Sequence, residues 1–143
     1  MRAMGFPARI INIIMNCIRS VSFSILINGQ PTDPFSPNRG IRQGDPLSPY
    51  IFIICAEVLS GLITKSQQEG HIHGVSIATN APPISHLLYL DDCILFCKAK
   101  PEEGQAIKHI LDIYQATSGQ KVNMDKSNMF FSPNISPEYK EAF

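Results

Sequence analysis

Two short apolar runs, His86-Leu87-Leu88-Tyr89-Leu90 and Cys93-Ile94-Leu95-Phe96-Cys97, flank a pair of adjacent aspartates, Asp91 and Asp92. Runs of five residues rich in Leu, Ile, Tyr and Phe read as buried strands. Two residues between two such strands leave room only for a tight hairpin, which places both carboxylates at its tip. Neighbouring carboxylates repel by about 4 kcal/mol at about 4 Å where the effective dielectric is about 20. Burial would add a desolvation cost and raise at least one pKa. A divalent cation is the simplest group to offset that repulsion, because hard cations take oxygen ligands. On the dipeptide alone, a solvated Asp-Asp turn is the simpler reading, since Asp is a common turn residue.

The elements around the hairpin follow from local pattern. Pro7 suits the first turn of a helix, and Ile10, Ile13, Ile14, Cys17 and Ile18 then recur at helical spacing. Alternation over residues 21–27 predicts a strand, and Asn28-Gly29 predicts the hairpin that follows it. Three prolines leave residues 30–38 as a weak or edge strand. Ser48 is placed to cap the next helix with Pro49 at its first position, and Ile51, Ile54, Cys55, Val58, Leu59, Leu62 and Ile63 form its stripe. That helix is expected to end near Gly70, and a short strand is expected at residues 75–77. Pro101 opens a further helix with Ile107, Ile110, Leu111 and Tyr114 inward and Gly119 just past its end. Residues 121–123 and 127–131 read as short strands, and the polar tail after Pro133 is expected to fray. With no repeat or linker, the chain reads as one α+β domain over residues 1–132 with a tail over 133–143.

Zero net charge over 143 residues gives no bulk positive field, so any nucleic-acid contact rests on locally placed Arg and Lys. Cys17, Cys55, Cys93 and Cys97 show no zinc spacing and read as reduced core thiols. His71-Ile72-His73 reads as a loop with two solvated histidines. Glu57 stops the apolar run at residues 51–56, so no transmembrane helix is expected. The stretch before Asp33 contains no acid, while Arg2, Arg9 and Arg19 punctuate it. That pattern is shared by transit peptides and by ordinary amphipathic helices, and the helix is the reading favoured here. The expected location is cytoplasmic or nuclear, without a signal peptide.

Three segments then occur in a fixed order: Arg39-Gly40-Ile41-Arg42-Gln43-Gly44-Asp45-Pro46-Leu47-Ser48-Pro49, Tyr89-Leu90-Asp91-Asp92, and Ser118-Gly119-Gln120-Lys121-Val122-Asn123 with Lys126-Ser127. They resemble motifs B, C and D of the reverse transcriptase of plant non-LTR (LINE-type) retrotransposons. Gly5-Phe6-Pro7 and residues 21–31 resemble the segment that joins motifs A and B. The likeness runs to about Phe131. It implies a fragment of a polymerase palm: an antiparallel sheet with the Asp-Asp hairpin packed on two or three helices. It further implies RNA-directed DNA synthesis with an RNA template, a DNA primer, deoxynucleoside triphosphates and Mg²⁺, or Mn²⁺ in its place.

The resemblance makes Asp91 the principal metal ligand and Asp92 its supporting neighbour. Lys126 stands at the motif D lysine, which protonates or neutralises the leaving pyrophosphate. Gln43 and Gly44 would approach template and incoming nucleotide, and Arg39 and Arg42 would contact phosphate. Tyr89 is expected to pack beneath the hairpin. Two departures stand out. Leu90 occupies a position that is usually small. The family's motif A aspartate should precede Gly5, where the only nearby acid is the misplaced Asp33, so the chain by itself is expected to be inactive. The rival readings are a non-catalytic retrotransposon remnant that binds nucleic acid weakly and a group II intron maturase-like palm; an unrelated Asp-Asp metal hydrolase would leave the motif B segment unexplained.

Overall fold

Pro7 at φ −58°, ψ 142° ends the preceding 3₁₀ turn and launches α1, Ala8–Arg19. The structure is a computed structural model describing residues 1–38 and 40–142. Backbone contacts divide it into two units, Met1–Ile54 and Cys55–Phe143, and the boundary falls within α2, Ser48–Gln68.

In the first unit, α1 turns Ile11 inward, with Ile14, Met15 and Ile18 half-buried beside it. Ile10, Ile13 and Cys17, expected on that stripe, are exposed. The predicted strand over residues 21–27 is shorter than its alternation suggests. It comprises a Phe23–Phe35 bridge and a two-residue strand β1, Leu26–Ile27, paired antiparallel with β2, Gln30–Pro31. Asn28-Gly29 makes the turn, as its sequence predicts, both residues having positive φ. Pro31 and Pro34 remove the N–H groups that a longer ladder needs.

The second unit holds the main core. Leu59 and Ile63 of α2 meet Ile72 from the following loop and Ile110 and Tyr114 of α3, Pro101–Ser118. Ile63 and Ile72 are each only 1% exposed. Leu95, at the end of the hairpin, packs against this cluster with Leu62, Ala106, Ile107 and Leu111. Ile54 and Cys55 of the expected α2 stripe are half-buried, and Val58 is exposed. Against the expectation drawn from Glu57, α2 is long and apolar enough to cross a membrane by length and composition; its Leu59 and Ile63 nevertheless belong to the core.

The hairpin comprises β3, His86–Tyr89, and β4, Asp92–Leu95, paired antiparallel with Tyr89 opposite Asp92. Among the described residues this sheet has two strands. The strand expected at residues 75–77 is reduced to a single bridge between Val75 and Ile84. Residues 121–123 and 127–131 are not strands. Val122 N–H donates instead to Gln115 Oε1 (2.9 Å), and in the turn between the two segments Lys126 N–H donates to Asn123 Oδ1 (3.3 Å). A 3₁₀ turn, Met124–Lys126, follows that Asn123 cap, and the tail carries a short helix, α4, Pro137–Ala142. Helices and small antiparallel sheets make the chain α+β.

Candidate functional site

The hairpin tip is shifted by one residue from its sequence-based placement. Tyr89 and Asp92 form the closing pair, so the turn residues are Leu90 and Asp91, and Asp92 opens β4. The boundary between apolar and acidic residues does not coincide with the boundary between strand and turn. Leu90 takes a left-handed φ of 51°, which the first position of such a turn demands. It can sit there because its side chain is 74% exposed and needs no pocket. Tyr89, expected beneath the hairpin, is 75% exposed.

Asp91 and Asp92 are both exposed, so the burial cost considered from sequence does not arise. Each keeps its full set of carboxylate lone pairs for an outside ligand, since neither accepts a side-chain hydrogen bond among the described residues. Two adjacent hard-oxygen donors suit one Mg²⁺, which binds through one or two carboxylates and leaves its remaining positions to water and phosphate. Among the described residues no group of three or more His, Cys, Asp or Glu is disposed to hold a metal ion.

The loop before α2 is tied to itself. The Arg42 carbonyl accepts from Asp45 N–H (3.3 Å) and from Ser48 Oγ–H (2.6 Å). Asp45 Oδ1 accepts from Leu47 N–H (2.8 Å), and its carbonyl accepts from Ser48 N–H (3.0 Å). Asp45, not Ser48, therefore organises the start of the helix; Ser48 is the first helical residue and donates backwards. Asp before Pro was the available signal. Gly44 has φ 82°, the left-handed value that a turn of this kind assigns to Gly at its third residue. This closure leaves the Arg42 and Gln43 side chains exposed. Arg39 lies outside the described residues. Lys126 is exposed on its 3₁₀ turn, not on a strand. Gln120, in the motif D look-alike, accepts the Tyr114 hydroxyl (2.6 Å), which fastens this segment to α3.

Two polar constellations supporting the hairpin were not singled out from sequence. His86, at the start of β3, lies 2.8 Å from Ser60 Oγ of α2 through Nε2 and 3.0 Å from Ser85 Oγ through Nδ1. Glu103, 4% exposed at the third position of α3, accepts Lys98 N–H and His73 N–H on Oε2, each at 2.9 Å. Its Oε1 meets His73 Nδ1 at 2.8 Å. A carboxylate only accepts, so Nδ1 carries the proton. Burial pushes the Glu103 carboxyl up; the two backbone donors and the His73 ring more than offset it and hold the group below its usual range. An acid in the first turn of a helix was its only sequence signal. His73 is thus engaged, contrary to the solvated reading, while His71 sits 3.5 Å from Glu69. The cysteines are free, but Cys17 and Cys93 are exposed and Cys55 and Cys97 only half-buried, so they are not core thiols. Burial, and then the Glu103 charge, push the Cys97 thiol up.

The sequence profile of the family "Reverse transcriptase (RNA-dependent DNA polymerase)" matches residues 1–140, nearly the whole chain. The chain belongs to the reverse transcriptase family. Relatives of this reverse transcriptase chain include two retrotransposable-element polyproteins. An uncharacterized mitochondrial protein of Arabidopsis thaliana is 42% identical over 74% of the chain and 86% of its own length. The retrovirus-related Pol polyprotein from the type-1 retrotransposable element R2 of Popillia japonica is 36% identical over the full chain, which spans 23% of that protein. The corresponding polyprotein from the type-2 retrotransposable element R2DM of Drosophila melanogaster is 31% identical over 88% of the chain and 11% of its own length. The reverse transcriptase chain thus spans less than a quarter of each of these polyproteins. No solved structure matches it significantly.

Proposed function

We propose that this chain is the palm-like portion of a retrotransposon reverse transcriptase, contributing to RNA-directed DNA synthesis within a longer polypeptide. The observation that carries the reading is the exposed Asp91-Asp92 pair at the tip of a two-strand antiparallel hairpin, in a chain whose family profile covers residues 1–140. Asp91 and Asp92 would hold Mg²⁺ or Mn²⁺. When bound, such an ion favours ionisation of a primer 3′-hydroxyl and offsets charge on leaving pyrophosphate.

The chain's own residues then have separable tasks. Asp91, in the turn, presents its carboxylate outward as the principal ligand, and Asp92, opening β4, supports it. Arg42 and Gln43 extend from the self-tied turn toward phosphate and template base, and Gly44 lets backbone approach them closely. Lys126 supplies a positive charge to the pyrophosphate side. RNA template, DNA primer and deoxynucleoside triphosphates are the partners of the whole enzyme.

Terbium luminescence tests the metal reading without requiring activity. Tyr89 pairs directly opposite Asp92, so a Tb³⁺ ion held at the tip should be sensitised by its ring. Titration of the wild-type chain should give a saturable Tyr-excited signal that Mg²⁺ competes away. Asp91→Asn should abolish it and Asp92→Asn should weaken it. A signal unchanged in Asp91→Asn would place the ion elsewhere and defeat the proposal.

A further inference from the structure

The arginines and lysines of this chain are segregated. All five arginines fall in Met1–Ile54, with no lysine and only Asp33 and Asp45 as acids; all seven lysines fall in Cys55–Phe143, against ten acids. Two of the arginines are on α1. At about 100° per residue, Arg9, Asn12, Asn16 and Arg19 occupy a sector of about 80° on that helix. All four are exposed, and α1 contains no acid. Among the described residues, no ion pair or side-chain hydrogen bond engages Arg2, Arg9, Arg19 or Arg42. Each guanidinium therefore keeps its N–H donors for a ligand outside the chain.

We propose that this face of α1 is a contact surface for a nucleic-acid backbone, additional to the Arg42–Gly44 turn. It rests on the polymerase reading above. Arg9 and Arg19 are about 15 Å apart along the helix axis. That span covers roughly four to five phosphates of one duplex strand at about 3.4 Å each. Each arginine takes one phosphate, and Asn12 and Asn16 donate amide N–H groups to phosphate or sugar oxygens between them. α1 contains no acid, so the helix itself sets no like charge against an anionic strand. An anionic membrane would also attract the arginines, but it needs the apolar face of the helix free. Ile10 and Ile13 are exposed, but Ile11 is buried and Ile14, Met15 and Ile18 are half-buried, so only part of that face is free.

Fluorescence anisotropy of a labelled DNA duplex of arbitrary sequence, titrated with the full chain over a range of salt, tests the surface. Arg9→Gln/Arg19→Gln should weaken binding roughly 60-fold near 0.1 M salt and flatten the log–log salt slope by about 1.8, the loss of two phosphate contacts at about 0.9 each. Arg9→Lys/Arg19→Lys should keep most of the slope, and the charge-matched Lys108→Gln/Lys140→Gln should change little. Both arginines are exposed and unpaired, so unchanged helical circular dichroism will certify the fold. Wild-type binding that survives Arg9→Gln/Arg19→Gln with its slope intact would overturn the surface and leave the polymerase reading standing. An equal loss in the lysine variant would also overturn it, as a general charge effect. Arginine-dependent binding to phosphatidylserine vesicles, with no duplex binding by the wild type, would replace nucleic acid with membrane. The terbium titration reads the hairpin independently, so its failure is distinguishable from failure of α1.

Discussion

Leu90 is a large apolar residue held at φ 51° in the turn that carries Asp91. A left-handed conformation costs a residue with a Cβ about 1–2 kcal/mol, and Asn tolerates it better. Because Leu90 buries little, Leu90→Asn should raise stability by about 0.5–1 kcal/mol in urea unfolding. Equal or lower stability would show that the leucine side chain contributes more than its exposure implies. A strained residue beside a candidate metal ligand is where function opposes stability. Glu103 presents the opposite case, a buried charge fully met by donors. In Glu103→Gln the amide oxygen can still accept the Lys98 and His73 backbone N–H groups, and His73 can change tautomer to accept the amide N–H. Loss of the charge should then cost about 1–2 kcal/mol at neutral pH. The folded carboxyl lies below its ordinary range, so the unfolded chain binds its proton first and stability rises with pH. The advantage of the wild type is full above the unfolded value of about 4.3 and is lost as pH falls through the lower folded value. Wild type and Glu103→Gln should converge in acid; a gap that persists there would assign the effect to shape and not to charge.

Elements were legible where the signal is local. Pro7, Pro101 and Gly119 mark helix ends, Asn28-Gly29 marks a turn, and the apolar spacing of residues 107–114 matches the buried side of α3. Elements that depend on a distant partner were not. Residues 121–123 and 127–131 have strand-like composition, yet a strand forms only beside another, and here the Val122 N–H goes to the Gln115 side chain instead. Glu103 was invisible for the same reason, since its donors come from loops at residues 73 and 98. The Val75–Ile84 bridge rests on such a distant contact, with N–H···O distances of 2.8 and 3.0 Å. It is close because Gly74 has no Cβ; an added one would collide with the Ile84 carbonyl and the Ser85 nitrogen, both backbone. Gly74→Ala should therefore destabilise by about 1–3 kcal/mol, the range for forced overpacking. Gly61→Ala makes the control. It lies inside α2 with open space around its would-be Cβ, so it should stabilise by about 0.5–1 kcal/mol. Thermal unfolding that moves both variants in the same direction would refute the close-approach argument.

The two units differ in what holds them. Among the described residues, Ile11 is the buried hydrophobic of Met1–Ile54, whereas Leu59, Ile63, Ile72, Ile110 and Tyr114 form a contiguous core in Cys55–Phe143. Apolar burial at roughly 25 cal/mol per Å² is the main term opposing chain entropy, so local opening should be cheapest where it is least. Native-state hydrogen exchange should accordingly show α1 and the β1–β2 amides exchanging well before those of Ile110 and Tyr114. Equal protection in α1 would mean that the first unit is stabilised by more than its burial. The same experiment bears on the arginine face. A ligand that binds only the folded state stabilises it by mass action, by about 2.7 kcal/mol when present at about 100 times its Kd. DNA duplex should therefore slow exchange in α1 much more than in α3, because α1 has opening transitions left to suppress and carries the proposed contacts. Protection that rises in α3 but not in α1 would locate duplex binding in the lysine-bearing unit and dissociate it from Arg9 and Arg19. Segregating arginine into the unit with the smaller core would then reflect something other than an anionic partner ordering that unit from outside.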